Sequence, residues 1–93
     1  MAQRSISRIR DCIRSLNYVV SLHAAEALED DKLTILDLEN IVLTGEIAER
    51  QRDRQTREVK FIIRGRTIAG QKAEVVAKFG QIGALFIITI YRV

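Results

Sequence analysis

The fold is decided by the C-terminal stretch 58–92, which reads EVKFIIRGRTIAGQKAEVVAKFGQIGALFIITIYR. Two of its segments alternate apolar with mostly charged side chains, and the apolar positions are Val59, Phe61 and Ile63 in the first and Val75, Ala77 and Phe79 in the second. This period of two is typical of strands that bury one face and expose the other. Turn residues at 65–70 and 80–83 separate three strands of similar length, so we predict consecutive antiparallel pairing.

The last of these segments, residues 85–91, is apolar on both faces. Such a strand suits a position inside a sheet, with a neighbouring strand on each side and helices above it. Residues 46–50 are the candidate for one further strand. We therefore predict a sheet of three to four antiparallel strands.

The N-terminal part of the chain has the period of an amphipathic helix. Its apolar face consists of Ile6, Ile9, Ile13 and Leu16, and its flanks carry Arg4, Arg8, Arg10 and Arg14. Side chains three and four positions apart share one face of a helix, which accounts for this spacing. Tyr18, Val19 and Val20 then form a short apolar link.

Two shorter helices are predicted by their capping residues. Ser21 is the expected N-cap of a helix that extends to about Asp30. Thr34 and Asp37 have the spacing of a capping box for the next helix, which Gly45 ends. The chain is thus predicted to be a single α+β domain over residues 1–93, with its N-terminal helices packed on one face of the sheet.

Composition limits the classes of protein. A 47% hydrophobic and 29% charged chain is in the ordinary globular range. Cys12 is the only cysteine, so no internal disulfide can form, and its apolar neighbours predict a buried thiol. No apolar run is long enough to span a membrane, and arginines occupy the place of a signal peptide's apolar region, so we expect a cytoplasmic protein with no membrane partner.

Few side chains are available for chemistry. The sequence has no phosphate-binding glycine loop, no paired cysteines, no HExxH and no serine elbow. With one histidine and one cysteine, a transition-metal site of nitrogen and sulfur ligands can hardly be assembled. We therefore expect neither a metal ion nor a cofactor.

Basic residues concentrate at 49–60, where four arginines and a lysine face three acids. This stretch is either a solvated hairpin loop or a loop that contacts phosphates. Farther along, cations and a phenol would converge on one open sheet surface if the strand faces coincide, and the residues concerned are Lys60, Arg64, Lys78, Thr89 and Tyr91. Without strand registers, an ordinary exposed face explains the pattern equally well.

His23 is the strongest single candidate for a residue that transfers a proton. It would occupy the first turn of the second helix, where the macrodipole disfavours the imidazolium form. Glu26 and Asp30, on the same helical face, favour that charged form. Both a structural or capping histidine and a neutral proton acceptor therefore remain open interpretations.

Four runs of the chain resemble a known family: Ser21-Leu-His-Ala-Ala-Glu26, Asp37-Leu-Glu39, Gly45-Glu-Ile47 and Ile88-Thr-Ile-Tyr91. They are similar to family 4258, small bacterial proteins of unknown function that resemble the RelE/ParE-like toxins. The resemblance implies a RelE-like fold and a toxin-like role. It also implies RNA or the translating ribosome as the target and a cognate antitoxin protein as a partner.

The resemblance also implies functional residues. His23 and Glu26 match the family's histidine-alanine-x-glutamate motif, and Thr89 and Tyr91 match its terminal threonine-x-tyrosine. These four are the candidate catalytic residues, and the candidate RNA contacts are Lys60, Arg64, Lys78, Arg50, Arg52 and Arg54. The chain departs from the family pattern at three positions: Ala27 and Asp31 stand where arginines are common, and Glu74 where a histidine is common.

Two hypotheses follow, and the sequence leaves enzymatic activity open. In the first, the protein is a toxin-like, metal-independent endoribonuclease in which His23 or Tyr91 handles the proton and basic residues stabilise phosphate charge. In the second, it is a non-catalytic module of the same fold that binds a partner protein or nucleic acid. The second gains support from the departures, because a carboxylate at position 74 would repel RNA.

Overall fold

The computed structural model describes the backbone of residues 2–93 and the side chains of residues 5–93, so the predicted cationic side chain of Arg4 lies outside the described part. Three helices and five strands follow one another along the chain. They are α1 (Ala2–Arg14), β1 (Tyr18–Val20), α2 (Leu22–Asp30), α3 (Ile35–Thr44), β2 (Glu46–Arg52), β3 (Val59–Arg66), β4 (Lys72–Phe79) and β5 (Leu85–Arg92). No described helix is long and apolar enough to cross a membrane.

The five strands form one sheet in the order β1-β5-β4-β3-β2. Strands β2 to β5 pair antiparallel with their chain neighbours, which confirms the pairing that the turn signals predicted for β3, β4 and β5 and the further strand proposed at 46–50. The short segment Tyr18–Val20, which we predicted as a link, is instead a strand that pairs parallel with β5. Three residues are too few to display a period of two, so the sequence pattern does not predict β1.

All three helices cover the same face of the sheet, which confirms the predicted α+β architecture. The core cluster joins Ile9, Ile13, Leu28, Leu38 and Ile41 from the helices to Phe61, Ile63, Val75, Ile87 and Ile90 from the strands. Helix α3 packs on β3 and β4, and α2 packs on β5. Strand β5 has neighbours on both sides and helices above it, in agreement with its apolar sequence.

The predicted helix caps are present. The Ser21 side chain accepts a hydrogen bond from the Ala24 amide at 3.0 Å. At the start of α3, the Asp37 amide donates to Thr34 Oγ1 at 3.3 Å, and the Thr34 amide donates to the Asp37 carboxylate at 2.9 Å. This reciprocal pair satisfies two amides that would otherwise lack an intrahelical partner.

Two glycines permit α3 to lie close against β3. A Cβ atom on Gly65 would come within 2.0 Å of the Ile41 carbonyl oxygen, and one on Gly45 within 2.6 Å of the same oxygen. Gly65 is therefore a packing position inside β3 rather than the start of the predicted turn. Gly45 follows α3 in an extended conformation, so its role is close approach and not the left-handed cap that glycine usually supplies.

Helix α1 is shorter than predicted. It ends at Arg14, and Leu16 lies beyond it with a positive φ of 60°. The Leu16 side chain is 72% exposed, so it does not join Ile9 and Ile13 in the core. Arg10 anchors the helix instead, because its Nη2 donates to the Gly45 carbonyl at 2.6 Å, beside the negative end of the α3 dipole.

Candidate functional site

The sheet face opposite the helices, here called the open face, carries the candidate site. Alternation places Lys60, Arg64 and Lys78 on this face, because Phe61, Ile63 and Ala77 between them belong to the core. No described helix packs on it. These three cations therefore lie on one surface together with Thr89 and Tyr91, which is the arrangement that the sequence left open.

Three residues from three adjacent strands meet at one end of the open face. Arg64 on β3 pairs with Glu74 on β4, which pairs with Tyr91 on β5. Arg64 Nε donates to Glu74 Oε2 at 2.7 Å, and Arg64 Nη2 lies 2.6 Å from the same oxygen. The Tyr91 hydroxyl donates to Glu74 Oε1 at 2.7 Å. We call this arrangement the Arg64–Glu74–Tyr91 network.

The network sets the protonation states of its members. The hydrogen bond from Tyr91, followed by the hydrogen bond and charge of Arg64, lowers the pKa of Glu74. The same hydrogen bond raises the pKa of Tyr91, and burial and the negative charge of Glu74 act in the same direction. At neutral pH the site therefore holds a carboxylate, a guanidinium and a protonated phenol.

Glu74 is nearly buried, with 7% of its surface exposed, whereas Arg64 and Tyr91 border solvent. A carboxylate this enclosed needs compensating partners, and its two oxygens have them. The positive charge of Arg64 offsets the negative charge that we expected to repel RNA. Glu74 is thus the centre of the site, and the sequence alone did not identify it. The alternation of each strand shows that Glu74 lies on the same face as Arg64 and Tyr91 only when the pairing of the strands is known.

A hollow of about 260 Å³ opens beside Arg64 and is lined by Glu46, Ile47, Ala48 and Arg64. It lies where the β2–β3 register shifts between Ile47 and Glu49, so Ala48 is the extra residue of a β-bulge. The hollow gives a small group access to the guanidinium from the β2 side.

The remaining open-face candidates lie along the same strands. Thr89 pairs with Val76, between the network and the other end of the face. Lys78 pairs with Phe86 and forms an ion pair with Glu58. Lys60 pairs with Gln51 and lines, with Arg52, a second hollow of about 190 Å³.

The arginines of the β2–β3 hairpin do not all lie on the open face. Arg50 pairs with Phe61 and its guanidinium lies 5.4 Å from the centre of that ring, so it belongs to the helix side of the sheet edge. Arg54 lies in the turn between β2 and β3. The turn is organised by Asp53, whose carboxylate accepts the amides of Gln55 and Thr56 at 2.8 and 3.0 Å. These amides lower the pKa of Asp53.

His23 and Glu26 belong to the other side of the sheet. Both are exposed on α2, which packs against β5 through Ala24 and Leu28. Among the described residues, no hydrogen bond or ion pair connects either of them to Tyr91. The structure therefore brings Arg64, Thr89 and Tyr91 to one face and leaves the histidine motif in the helix layer.

Two departures from the family pattern have structural roles. The Asp31 carboxylate accepts the backbone amide of Arg92 at 3.2 Å, which connects the end of α2 to the end of β5. Ala27 packs against the core, where an arginine side chain would have to turn outward.

Fold and site together define a class: a small α+β domain with helices on one sheet face and an arginine–carboxylate–phenol network on the other. The chain belongs to the DUF4258 family, a domain of unknown function, whose family model matches residues 20–92. Neither the curated proteins nor the solved structures contain a significant match to the chain.

Proposed function

We propose that the protein is a toxin-like ribonuclease of a toxin–antitoxin system that cleaves RNA on the open face of its sheet. The observation that carries the proposal is the Arg64–Glu74–Tyr91 network. Cleavage by an RNA 2′-hydroxyl needs a proton acceptor, a cation and a proton donor, and here Arg64 and Tyr91 each lie within hydrogen-bond distance of the Glu74 carboxylate. Messenger RNA, free or on the ribosome, is the proposed target, and a cognate antitoxin protein the proposed partner; both follow from the family resemblance.

Each residue of the network has one role in this reaction. Glu74 accepts the proton of the 2′-hydroxyl, whose oxygen then bonds to the neighbouring phosphorus. Arg64 stabilises the negative charge that develops on the phosphorane. Tyr91 donates its proton to the 5′-oxygen as the bond between that oxygen and phosphorus breaks, and the products carry a 2′,3′-cyclic phosphate and a 5′-hydroxyl. After cleavage Glu74 holds the proton of the 2′-hydroxyl and Tyr91 has lost its own, and transfer of a proton from Glu74 to Tyr91 along their hydrogen bond restores both groups.

Substrate binding would also activate the base. In the free protein, Arg64 and Tyr91 hold the pKa of Glu74 below its ordinary range, which makes its carboxylate a weak proton acceptor. A phosphate group that draws Arg64 toward itself removes a hydrogen bond and a positive charge from Glu74 Oε2. The pKa of Glu74 then rises toward the value of an effective base.

A second function is favoured by one observation: both oxygens of Glu74 already have partners in the free protein. In this alternative the network is a structural tie between strands, and the protein is a non-catalytic module that binds a partner protein or nucleic acid. Exposed basic residues such as Arg52 and Arg54 would then provide the contacts.

Induced expression in a bacterial culture separates the two functions when growth and transcript ends are followed together. We expect the wild type to arrest growth and create new RNA ends, and Glu74→Gln and Tyr91→Phe to do neither. His23→Ala tests the residue that the family motif favours, and the geometry predicts that it still cleaves. Soluble wild-type protein with neither arrest nor new ends would contradict the ribonuclease proposal and support the binding module.

A further inference from the structure

Phe86 differs from the other two phenylalanines of the chain. Phe61 and Phe79 pack edge to face on the helix side, with ring centres 5.9 Å apart, and both belong to the core or pack against it. Phe86 is absent from that cluster and is half-buried on the open face. Its ring therefore serves no purpose in the helix-side core.

Phe86 is partly exposed between its neighbours on the open face. Val19 pairs with it from the edge strand β1 and is 53% exposed. Lys78 pairs with it from β4, and its Nζ lies 5.8 Å from the ring centre. An aromatic ring on an uncovered sheet, with a cation beside it, is the combination that proteins use to stack an unpaired base and hold the adjoining backbone.

The charge of the open face fits an anionic polymer. Its cations are Lys60, Arg64, Arg66, Lys72 and Lys78, and its anions are Glu46, Glu49, Glu74 and Glu58, the ion-pair partner of Lys78, so that five cations exceed four anions by one. Along the face, Lys60 and Lys78 lie at the Phe86 end, Arg64 lies in the network, and Arg66 and Lys72 lie beyond the network at the other end. The phosphates of an extended strand can contact cations spread in this way along the face.

We propose that Phe86 is a stacking platform for an unpaired base, and that the open face consequently takes single-stranded RNA. This inference rests on the proposed function, because it specifies the substrate class of the same face. Glu74 and Lys78 are four positions apart on β4, which is about 13 Å along a strand. The stacked base therefore belongs to a nucleotide some way along the strand from the phosphate that reacts. Bases of a duplex cannot stack on Phe86, because their faces are already covered.

The chain has no tryptophan, so Phe86→Trp places a single fluorescent reporter at the proposed platform. The probe is an unstructured oligouridine of about twelve nucleotides, titrated in a Glu74→Gln background that cannot cleave it. We expect saturable quenching of the indole and an affinity close to that of the parent. Phe86→Leu, which retains an apolar side chain, should weaken binding by about 5- to 100-fold, as measured by anisotropy of a labelled oligouridine.

The control is Val19→Leu, a change of apolar shape beside Phe86, which should leave the affinity within about twofold; thermal unfolding of each variant checks that it is folded. Equal affinities for Phe86→Leu and the parent, or equal binding of a duplex and the single strand, would overturn the inference. RNA cleavage by the Glu74-containing protein without any effect of Phe86→Leu would overturn this inference and leave the proposed function in place. Binding that depends on Phe86, without any RNA cleavage by the Glu74-containing protein, would support this inference and overturn the proposed ribonuclease function.

Discussion

The Arg64 guanidinium lies 2.6 Å from the Glu74 carboxylate across two neighbouring strands, on the sheet face that no described helix covers. Glu74 is almost fully enclosed and its second oxygen accepts the Tyr91 hydroxyl. An enclosed, paired carboxylate of this kind is compatible with a structural tie and with a catalytic base.

Tyr91→Phe should raise the pKa of Glu74, because the hydrogen bond from Tyr91 is the largest cause that lowers it. Carboxyl-carbon NMR titration of Glu74 measures this directly. Tyr18→Phe is the matched control, since Tyr18 donates to Glu39 and not to Glu74. A Glu74 titration curve that is the same in Tyr91→Phe and the wild type would show that the hydrogen bond is absent in solution.

Gly65→Ala should destabilise the domain by about 3 kcal/mol or more, because the new methyl group would overlap the Ile41 carbonyl oxygen and push α3 off the sheet. Urea unfolding followed by circular dichroism measures the change. Gly80→Ala is the control, because its nearest neighbour, the Ala84 carbonyl oxygen, is at an ordinary 3.4 Å. Equal stability of the two variants would refute the close approach of α3 to β3.

The Tyr18 hydroxyl donates to Glu39 at 2.6 Å and connects β1 to α3. Burial and Glu39 together raise the pKa of Tyr18 to about 12. Because the folded pKa exceeds the unfolded value near 10, this contribution to stability is complete below about pH 10 and declines as the pH rises toward 12.

Tyr18→Phe should therefore cost about 1 kcal/mol at neutral pH and less as the pH rises from 10 to 12. Thermal unfolding of both proteins between pH 8 and pH 12 provides the comparison. A difference in stability that stays constant over this range would show that Tyr18 titrates as it does in the unfolded chain.

Thr34→Ala should lower stability by about 1 kcal/mol, because it removes the oxygen that accepts the Asp37 amide at the start of α3. The Asp37 carboxylate also accepts the amides of Thr34 and Ile68, and these bonds lower its pKa. Its contribution is thus present above pH 4 and lost as the pH falls through the lowered value. Thr34→Ser, which keeps the hydroxyl, should retain most of the stability in chemical denaturation.

The helices and the four antiparallel strands were predictable because their signals are local. Capping residues such as Ser21 and Thr34 act within one turn, and the alternation around Phe61 continues long enough to show its period. The parallel strand β1 was not predictable, since its pairing with β5 joins residues more than 60 positions apart and its three residues carry no period. The role of Gly65 was not predictable either, because it depends on the packing of α3, which lies more than 20 positions earlier in the sequence.

The candidate site was predictable in part. Alternation placed Arg64, Lys78 and Tyr91 among the candidates for one face, and the structure puts them there. The central place of Glu74 could not be inferred, because a carboxylate considered alone repels phosphate and only the strand registers show that Arg64 and Tyr91 flank it. The catalytic role of His23 stays a prediction of the family motif.

The most direct test of the central claim is incubation of purified protein with an unstructured RNA, followed by analysis of the chemistry of the new ends. We predict 2′,3′-cyclic phosphate and 5′-hydroxyl ends from the wild type, at least a 100-fold slower rate for Glu74→Gln, and a near wild-type rate for Glu49→Gln, which makes the same charge change on the same face. No cleavage by folded wild-type protein, or cleavage that Glu74→Gln leaves unchanged, would contradict the account.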